Sequence, residues 1–241
     1  MLASNSVPIM GSYPGWIQGG NKANIEVEIF FDYLCSDSKA MSVGLIEALS
    51  EKMDSGLKVE DAIQLRLSNF PLDYHLHSWS VTKMLPYFKD KCAAKAEDCH
   101  YLNEYLEFSF AKQEEALDQT YMTENDFHKW WSKEVFIMSE GKLEPNELYN
   151  VYVPEDDIHD SENKTRAIWK YGAAKGVSGT PTAFINGVQL DTFPATSDAW
   201  LELLNSLQAV QWPSEEISND DQQCKGYYGT DCFTDDDCCQ D

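Results

Sequence analysis

Positive charge is in short supply. The 241 residues carry 18 lysines and arginines against 41 aspartates and glutamates, a formal net charge of -23. Nucleic acid and anionic membrane surfaces would be repelled by such a chain, so neither is expected as a partner. The acidity is read as a solubility device rather than a recognition surface. Apolar runs are short as well, and none approaches the roughly 20 residues that a membrane span needs. The opening Met1-Leu-Ala-Ser-Asn-Ser has neither a basic region nor an apolar one. A secretory reading therefore needs a signal segment that was removed or lies outside this sequence. No internal repeat is visible. The C-terminal cysteines lack the Cys-x-x-Cys pairs of zinc sites and have no histidine beside them, so disulfides are preferred there and no metal site is expected.

Cysteine itself is plentiful, at seven residues. Cys92 and Cys99 are near neighbours, and Cys224, Cys232, Cys238 and Cys239 crowd the last eighteen residues. Six of the seven can pair, which leaves Cys35 odd. That arithmetic points to an oxidising compartment and one free thiol. Cys238 and Cys239 are adjacent and are not expected to bond each other, because that ring strains the peptide; the pairing within the tail is otherwise open. Asn163-Lys164-Thr165 is a glycosylation sequon, consistent with secretion or residence in the lumen of the secretory pathway.

At 43% hydrophobic residues with seven tryptophans, the chain can build a real core. Residues 1–213 read as one domain and 214–241 as an acidic, cysteine-rich tail. Val7 to Met10 reads as a short edge strand and Tyr13-Pro14-Gly15 as a turn. Ile25, Val27, Ile29 and Phe31 then alternate with Glu26 and Glu28, the period of a strand. The period changes after Cys35-Ser36-Asp37-Ser38: Met41, Leu45, Ala48 and Leu49 share a helix face, with the helix ending near Asp54 to Gly56. A cysteine thus stands where a strand hands over to a helix, beside unpaired N-terminal amides that stabilise a thiolate. Ala62 to Leu67 reads as a second strand. From Ser78 to about Glu147 the pattern is helical, with Trp79, Met84 and Leu85 in one helix. Another helix spans Ser161 to Lys175. Thr182 to Ile185, the Asn186-Gly187 turn and Val188 to Leu190 read as a hairpin. Thr196 or Ser197 can cap a last helix carrying Trp200, Leu203, Leu204 and Leu207.

Three segments carry a family resemblance. Asp32 followed by Cys35-x-x-Ser38 at a strand-to-helix junction resembles the active-site pattern of the thioredoxin fold. Gly176-Val177-Ser178-Gly179-Thr180-Pro181-Thr182 with Asn186-Gly187 is similar to the cis-proline loop of the DsbA-like branch. Phe70-Pro71-Leu72-Asp73-Tyr74-His75 is similar to the opening of that branch's helical insertion. The three come in family order and span about Ile25 to Leu207. The resemblance implies an α/β thioredoxin-like fold, a mixed sheet flanked by helices, with a helical insertion at about residues 76–150. It also puts Cys92 and Cys99 at a helix junction. Dithiol members carry Cys-Pro-x-Cys; here Ser36 replaces the proline and Ser38 the second cysteine. Cys35 to Lys39 looks most like eukaryotic secreted relatives with Cys-Pro-Asp-Ser and a following basic residue.

The resemblance makes Cys35 the nucleophile, with Ser38 beside it in the catalytic motif and Ser36, Asp37, Thr180 and Pro181 facing a client. Pro181 is expected in cis beside Cys35, leaving the Thr180 backbone to pair with an extended peptide. Asp32 is read first as a cap on the loop and second as a proton-transfer group. His75 is an accessory position whose plainer reading is structural. The helix N-terminus favours a Cys35 thiolate, while Asp37 and the negative field oppose it. Serine cannot resolve a mixed disulfide, so Cys35 needs an external thiol. The expected function is an extracytoplasmic thiol-disulfide oxidoreductase or isomerase acting on protein or peptide thiols, with no cofactor and with glutathione as a candidate co-substrate. The alternative is a thioredoxin-fold binder that keeps the groove without turnover. A kappa-type glutathione transferase shares the architecture, but that family uses serine where Cys35 stands.

Overall fold

The computed structural model describes residues 11–19 and 23–209. Contacts divide the chain into Met1–Asn205 and Ser206–Asp241. The edge strand expected at Val7 to Met10, the tail 214–241 and its four cysteines lie outside the described residues.

The strands are β1 (Trp16–Gly19), β2 (Ile25–Phe31), β3 (Ile63–Asn69), β4 (Thr182–Ile185) and β5 (Val188–Gln189). They form one mixed sheet in the order β1-β3-β2-β4-β5. β2 and β3 run parallel, with Val27 opposite Leu65 and Ile29 opposite Leu67. β1 joins β3, and β4 joins β2, antiparallel. The β4–β5 hairpin turns on Asn186 and Gly187, both with positive φ (49° and 80°), as a two-residue turn matched to strand twist requires.

The helices are α1 (Ser36–Ser50), α2 (Val59–Ala62), α3 (Ser78–Thr82), α4 (Leu85–Ala94), α5 (His100–Ala111), α6 (Gln113–Leu117), α7 (Glu124–Met138), α8 (Pro145–Asn150), α9 (Ser161–Ala174) and α10 (Ser197–Ala209). α3 to α8 make the helical insertion between β3 and α9. The expected single helix around Trp79, Met84 and Leu85 is two. Met84 caps α4, whose first turn holds Pro86, a residue that starts helices and cannot continue one. α1 ends at Ser50 rather than at Asp54 to Gly56. Glu51 turns extended, Lys52 bridges to Lys58, and Met53 donates to the Leu57 carbonyl over a turn at Gly56, where φ is 84°. Thr196 Oγ1 accepts from Ala199 N at the start of α10, with Trp200 and Leu204 buried.

β2 is covered on both faces. Val27, Ile29 and Phe31 are buried, and so is Phe30, which packs with Phe70, Leu72, Val177 and Phe184 under Tyr171 of α9. The alternation therefore does not place Glu28 in solvent. It is buried, accepts from Tyr171 Oη at 2.7 Å and pairs with Lys175. Gly172 lets α9 sit this close: a Cβ there would lie 2.7 Å from Phe70 and 3.1 Å from Phe30.

Candidate functional site

Cys35 is the N-cap of α1 and only 6% exposed. The turn that delivers it from β2 is closed by Cys35 N donating to Asp32 O at 3.1 Å. Tyr33 anchors the turn. Its ring is buried edge-on against Phe31 (5.3 Å) and Tyr105 (5.2 Å), and its carbonyl accepts from Gln113 Nε2 at 3.0 Å. The helical insertion therefore grips the Cys35 turn. Burial, then the neighbouring Tyr105, push the Tyr33 phenol well above its ordinary range, so it stays neutral.

Cys35 Sγ donates to the Thr180 carbonyl oxygen at 3.2 Å. The Thr180–Pro181 bond is cis. Two segments 145 residues apart thus meet at one sulfur. The Thr180 amide makes no hydrogen bond to the backbone among the described residues. Lys175, at the entry to this loop, pairs with Glu28 of β2, which also accepts from Tyr171, so the loop's base is tied to the central strand. Burial first, and then the bond to Glu28, raise the Tyr171 phenol and keep it a donor.

Ser38 is buried, and its Oγ accepts from Asp32 N at 3.3 Å. Its hydroxyl thus holds the turn rather than the Cys35 sulfur. Asp32 is the hub of the site. Its buried carboxylate accepts from Leu34 N (2.9 Å), Leu72 N (3.0 Å), His75 Nδ1 (2.7 Å) and Ser78 Oγ. Four donors on one carboxylate tie the Cys35 turn to the Phe70–Ser78 segment, and they satisfy a buried group that would otherwise be costly. Ser36 and Asp37 are exposed on the first turn of α1.

A family profile described as thioredoxin matches residues 12–206. The chain belongs to the thioredoxin family. Among solved structures, a Pseudomonas syringae protein assigned provisionally as a protein-disulfide isomerase superposes with a TM-score of 0.59 at 16% identity, covering 78% of this chain and 96% of that one. Wolbachia pipientis alpha-DsbA1 gives 0.55 at 15%, covering 84% and 94%. MdbA, a thiol-disulfide oxidoreductase from Corynebacterium diphtheriae, gives 0.52 at 13%, covering 80% and 90%. At these identities the likeness is one of fold, and the fold is DsbA-like. No curated protein sequence matches the chain.

Within this thioredoxin-family frame, Cys92 and Cys99 form a disulfide between α4 and α5, and Cys35 is the free cysteine of the described residues. No group of His, Cys, Asp and Glu side chains among them could hold a metal, and no described helix is long and apolar enough to cross a membrane. The sequon lies apart from the site on α9. Asn163 is exposed and donates to Asp160, while Thr165 is buried. Sequence reasoning missed Glu28, Lys175, Tyr171 and Ser78. A glutamate inside an otherwise apolar strand headed for the middle of a sheet was the available signal for the first, since it must be paired once both faces are covered.

Proposed function

We propose that the protein is an extracytoplasmic thiol-disulfide oxidoreductase or isomerase that works through Cys35 alone. The observation that carries the reading is the Cys35 Sγ contact with the Thr180 carbonyl, next to a cis proline and at the start of α1. While the sulfur keeps its proton, the S–H points at the carbonyl oxygen. Ionisation removes the donor, frees the carbonyl for a client amide and leaves a thiolate at a helix N-terminus.

The thiolate attacks one sulfur of a client disulfide. A bond forms from Cys35 Sγ to that sulfur, the client S–S bond breaks, and the other client sulfur leaves as a thiolate. Ser38 brings no second sulfur. A thiolate from outside, either glutathione or another client cysteine, then attacks the client sulfur of the mixed disulfide and releases Cys35. A client thiolate gives isomerisation without net redox change. Two glutathiones give a reduced client and glutathione disulfide. Asp32 and Ser38 act as positioning residues for the turn, and Thr180 and Pro181 as the client-facing edge. The Cys92–Cys99 disulfide supports an oxidising compartment. No cofactor enters the cycle.

Incubating the protein in a glutathione disulfide buffer should give a single glutathione adduct at Cys35 by mass spectrometry, absent in Cys35→Ala. A second reading, a client-binding module without turnover, is favoured by the burial of Cys35. It replaces the first if Cys35 stays unmodified while an unfolded control thiol reacts.

A further inference from the structure

A cavity of about 120 Å³ lies between α1, the β1–β3 side of the sheet and α5. Leu45 of α1, Phe31, Leu65 and Leu67 of the sheet, and Leu106 and Phe110 of α5 form its interior, and all six are buried. Ile46 also lines it and is 43% exposed, so the cavity reaches the surface beside α1. Gln18 Nε2 donates to Asn103 Oδ1 in its wall, and Ser42 Oγ donates to the Lys39 carbonyl at 2.8 Å. Glu107 of α5, also in the lining, makes no ion pair or side-chain hydrogen bond among the described residues. A second, more open space of about 440 Å³ adjoins the first, with Gln18, Leu49, Leu65 and Asn103 as the wall common to both. Glu60 and Asp61 of α2 line this outer space.

We infer that the two spaces together bind a small amphiphilic cation, an aliphatic or aromatic body of about six carbons carrying an ammonium head. Volume and lining select the body. Engineered cavities of about 150 Å³ lined by Leu, Ile and Phe take up benzene, so this somewhat smaller one holds a ring or chain of up to about six carbons. Charge selects the head. Three carboxylates line the two spaces, and no Lys, Arg or His does. Lys58, outside both linings, pairs with Glu60 at 2.9 Å, while Glu107 and Asp61 have no ion pair among the described residues. An ammonium head is attracted by these carboxylates and by the net charge of -23, and a carboxylate head is repelled by both. The common wall joins the two requirements: a body inside the cavity carries its head toward the acidic side. The cis-proline loop leads into β4, on the other side of β2 from β3 and β1, and none of its residues lines either space. The cation site is therefore separate from the client-facing edge and stands whether or not Cys35 exchanges thiols.

The test titrates the full chain with hexylammonium, 1-hexanol, hexanoate and methylammonium by calorimetry. Hexylammonium should bind at least ten-fold tighter than hexanoate, with hexanol between them, and methylammonium should not bind. Leu45→Phe and Leu106→Phe fill the cavity and should each abolish hexylammonium binding. Leu49→Trp, at the half-buried common wall, replaces either variant if melting shows that it does not fold. The double variant Asp61→Asn, Glu107→Gln should narrow the preference for hexylammonium over hexanoate to under three-fold and leave hexanol binding unchanged. Glu155→Gln, an exposed carboxylate elsewhere, should keep the full preference, which separates the local carboxylates from the charge of the whole chain. Absence of hexylammonium binding, or binding that survives a filled cavity, overturns the inference. So does methylammonium binding as well as hexylammonium, since that is ion pairing at the surface without the apolar body. A preference that the double variant leaves intact, or hexanoate binding as tightly as hexylammonium, overturns the cationic head.

Discussion

The thiol of Cys35 donates to the carbonyl oxygen of Thr180 at 3.2 Å, across 145 residues of sequence. The contact is both structural and chemical, and two substitutions separate the roles. Cys35→Ser keeps a donor for the Thr180 carbonyl and should melt close to the parent. Cys35→Ala leaves that carbonyl without its donor and should cost about 1 kcal/mol in urea unfolding. Both should abolish the glutathione adduct. A serine variant that is much less stable than the alanine variant would mean that the carbonyl contact contributes nothing.

Ser38 stands three residues after Cys35, and its Oγ is committed to Asp32 N. Ser38→Ala strands a buried amide and should cost roughly 1–3 kcal/mol, while adduct formation at Cys35 continues. Ser38→Cys should turn a trapped, glutathione-dependent mixed disulfide into one that the protein resolves itself, shortening the adduct's life in a quenched time course. A Ser38→Cys variant whose adduct decays no faster than the parent's would show that the second position cannot reach the first.

The Asp32 carboxylate should be the most sensitive single position in the site. Asp32→Ala leaves Leu34 N, Leu72 N and the Ser78 hydroxyl buried without their acceptor, a loss of roughly 3–5 kcal/mol. Asp32→Asn restores size but turns a donor toward donors, so it should recover only part. His75→Ala removes one partner and should cost least. Urea midpoints in the order parent, His75→Ala, Asp32→Asn, Asp32→Ala are expected; a tolerated alanine at position 32 would refute the hub.

Much of this geometry could be read from residues. The change from period two to period 3.6 around Cys35 located β2 and α1, because a half-turn of chemistry at a junction leaves its mark on side-chain spacing. The Asn186-Gly187 pair located the hairpin, because few other residues accept positive φ twice in a row. What stayed hidden depends on contacts at long range. β1 is four residues long and exists through its pairing with β3, so its local pattern is weak and no strand is legible there in the sequence. Glu28 followed the polar register of β2 and became buried only because α9 covers that face. The split between α3 and α4 turned on Pro86, whose missing amide matters more than the apolar periodicity running through it.

The Cys92–Cys99 disulfide links two residues seven apart in sequence where α4 gives way to α5. Replacing both cysteines by serine should lower stability by about 2–3 kcal/mol on the chain-entropy account, without changing adduct formation at Cys35. Mass spectrometry of the alkylated, non-reduced protein should find one free thiol, at Cys35. Two or more would contradict the proposal that the tail cysteines pair among themselves.

His128 should give the protein an acid-side stability loss that one substitution removes. Its ring is buried in the insertion, shares a hydrogen bond with Ser80 Oγ at 3.0 Å and stacks on Tyr152 at 4.0 Å. Burial lowers its pKa from 6.5 to about 4, with the Lys83 and His77 charges acting in the same direction. A folded pKa below the unfolded one means that the unfolded chain binds a proton which the folded chain refuses. The contribution is complete above about pH 6.5 and is lost as pH falls toward 4, with an upper limit of roughly 3 kcal/mol. Glu124, with an oxygen 3.7 Å from Nε2, is the carboxylate placed to ease protonation, so Glu124→Gln should steepen the loss. Other carboxylates also titrate in this range, so the measurement is a difference: urea midpoints of the parent and of His128→Gln at pH 7, 6, 5 and 4. The gap between the two should narrow, or change sign in favour of the variant, as pH falls. A gap that stays constant from pH 7 to 4 would mean that His128 titrates alike in both states, and its burial would then carry no pH dependence.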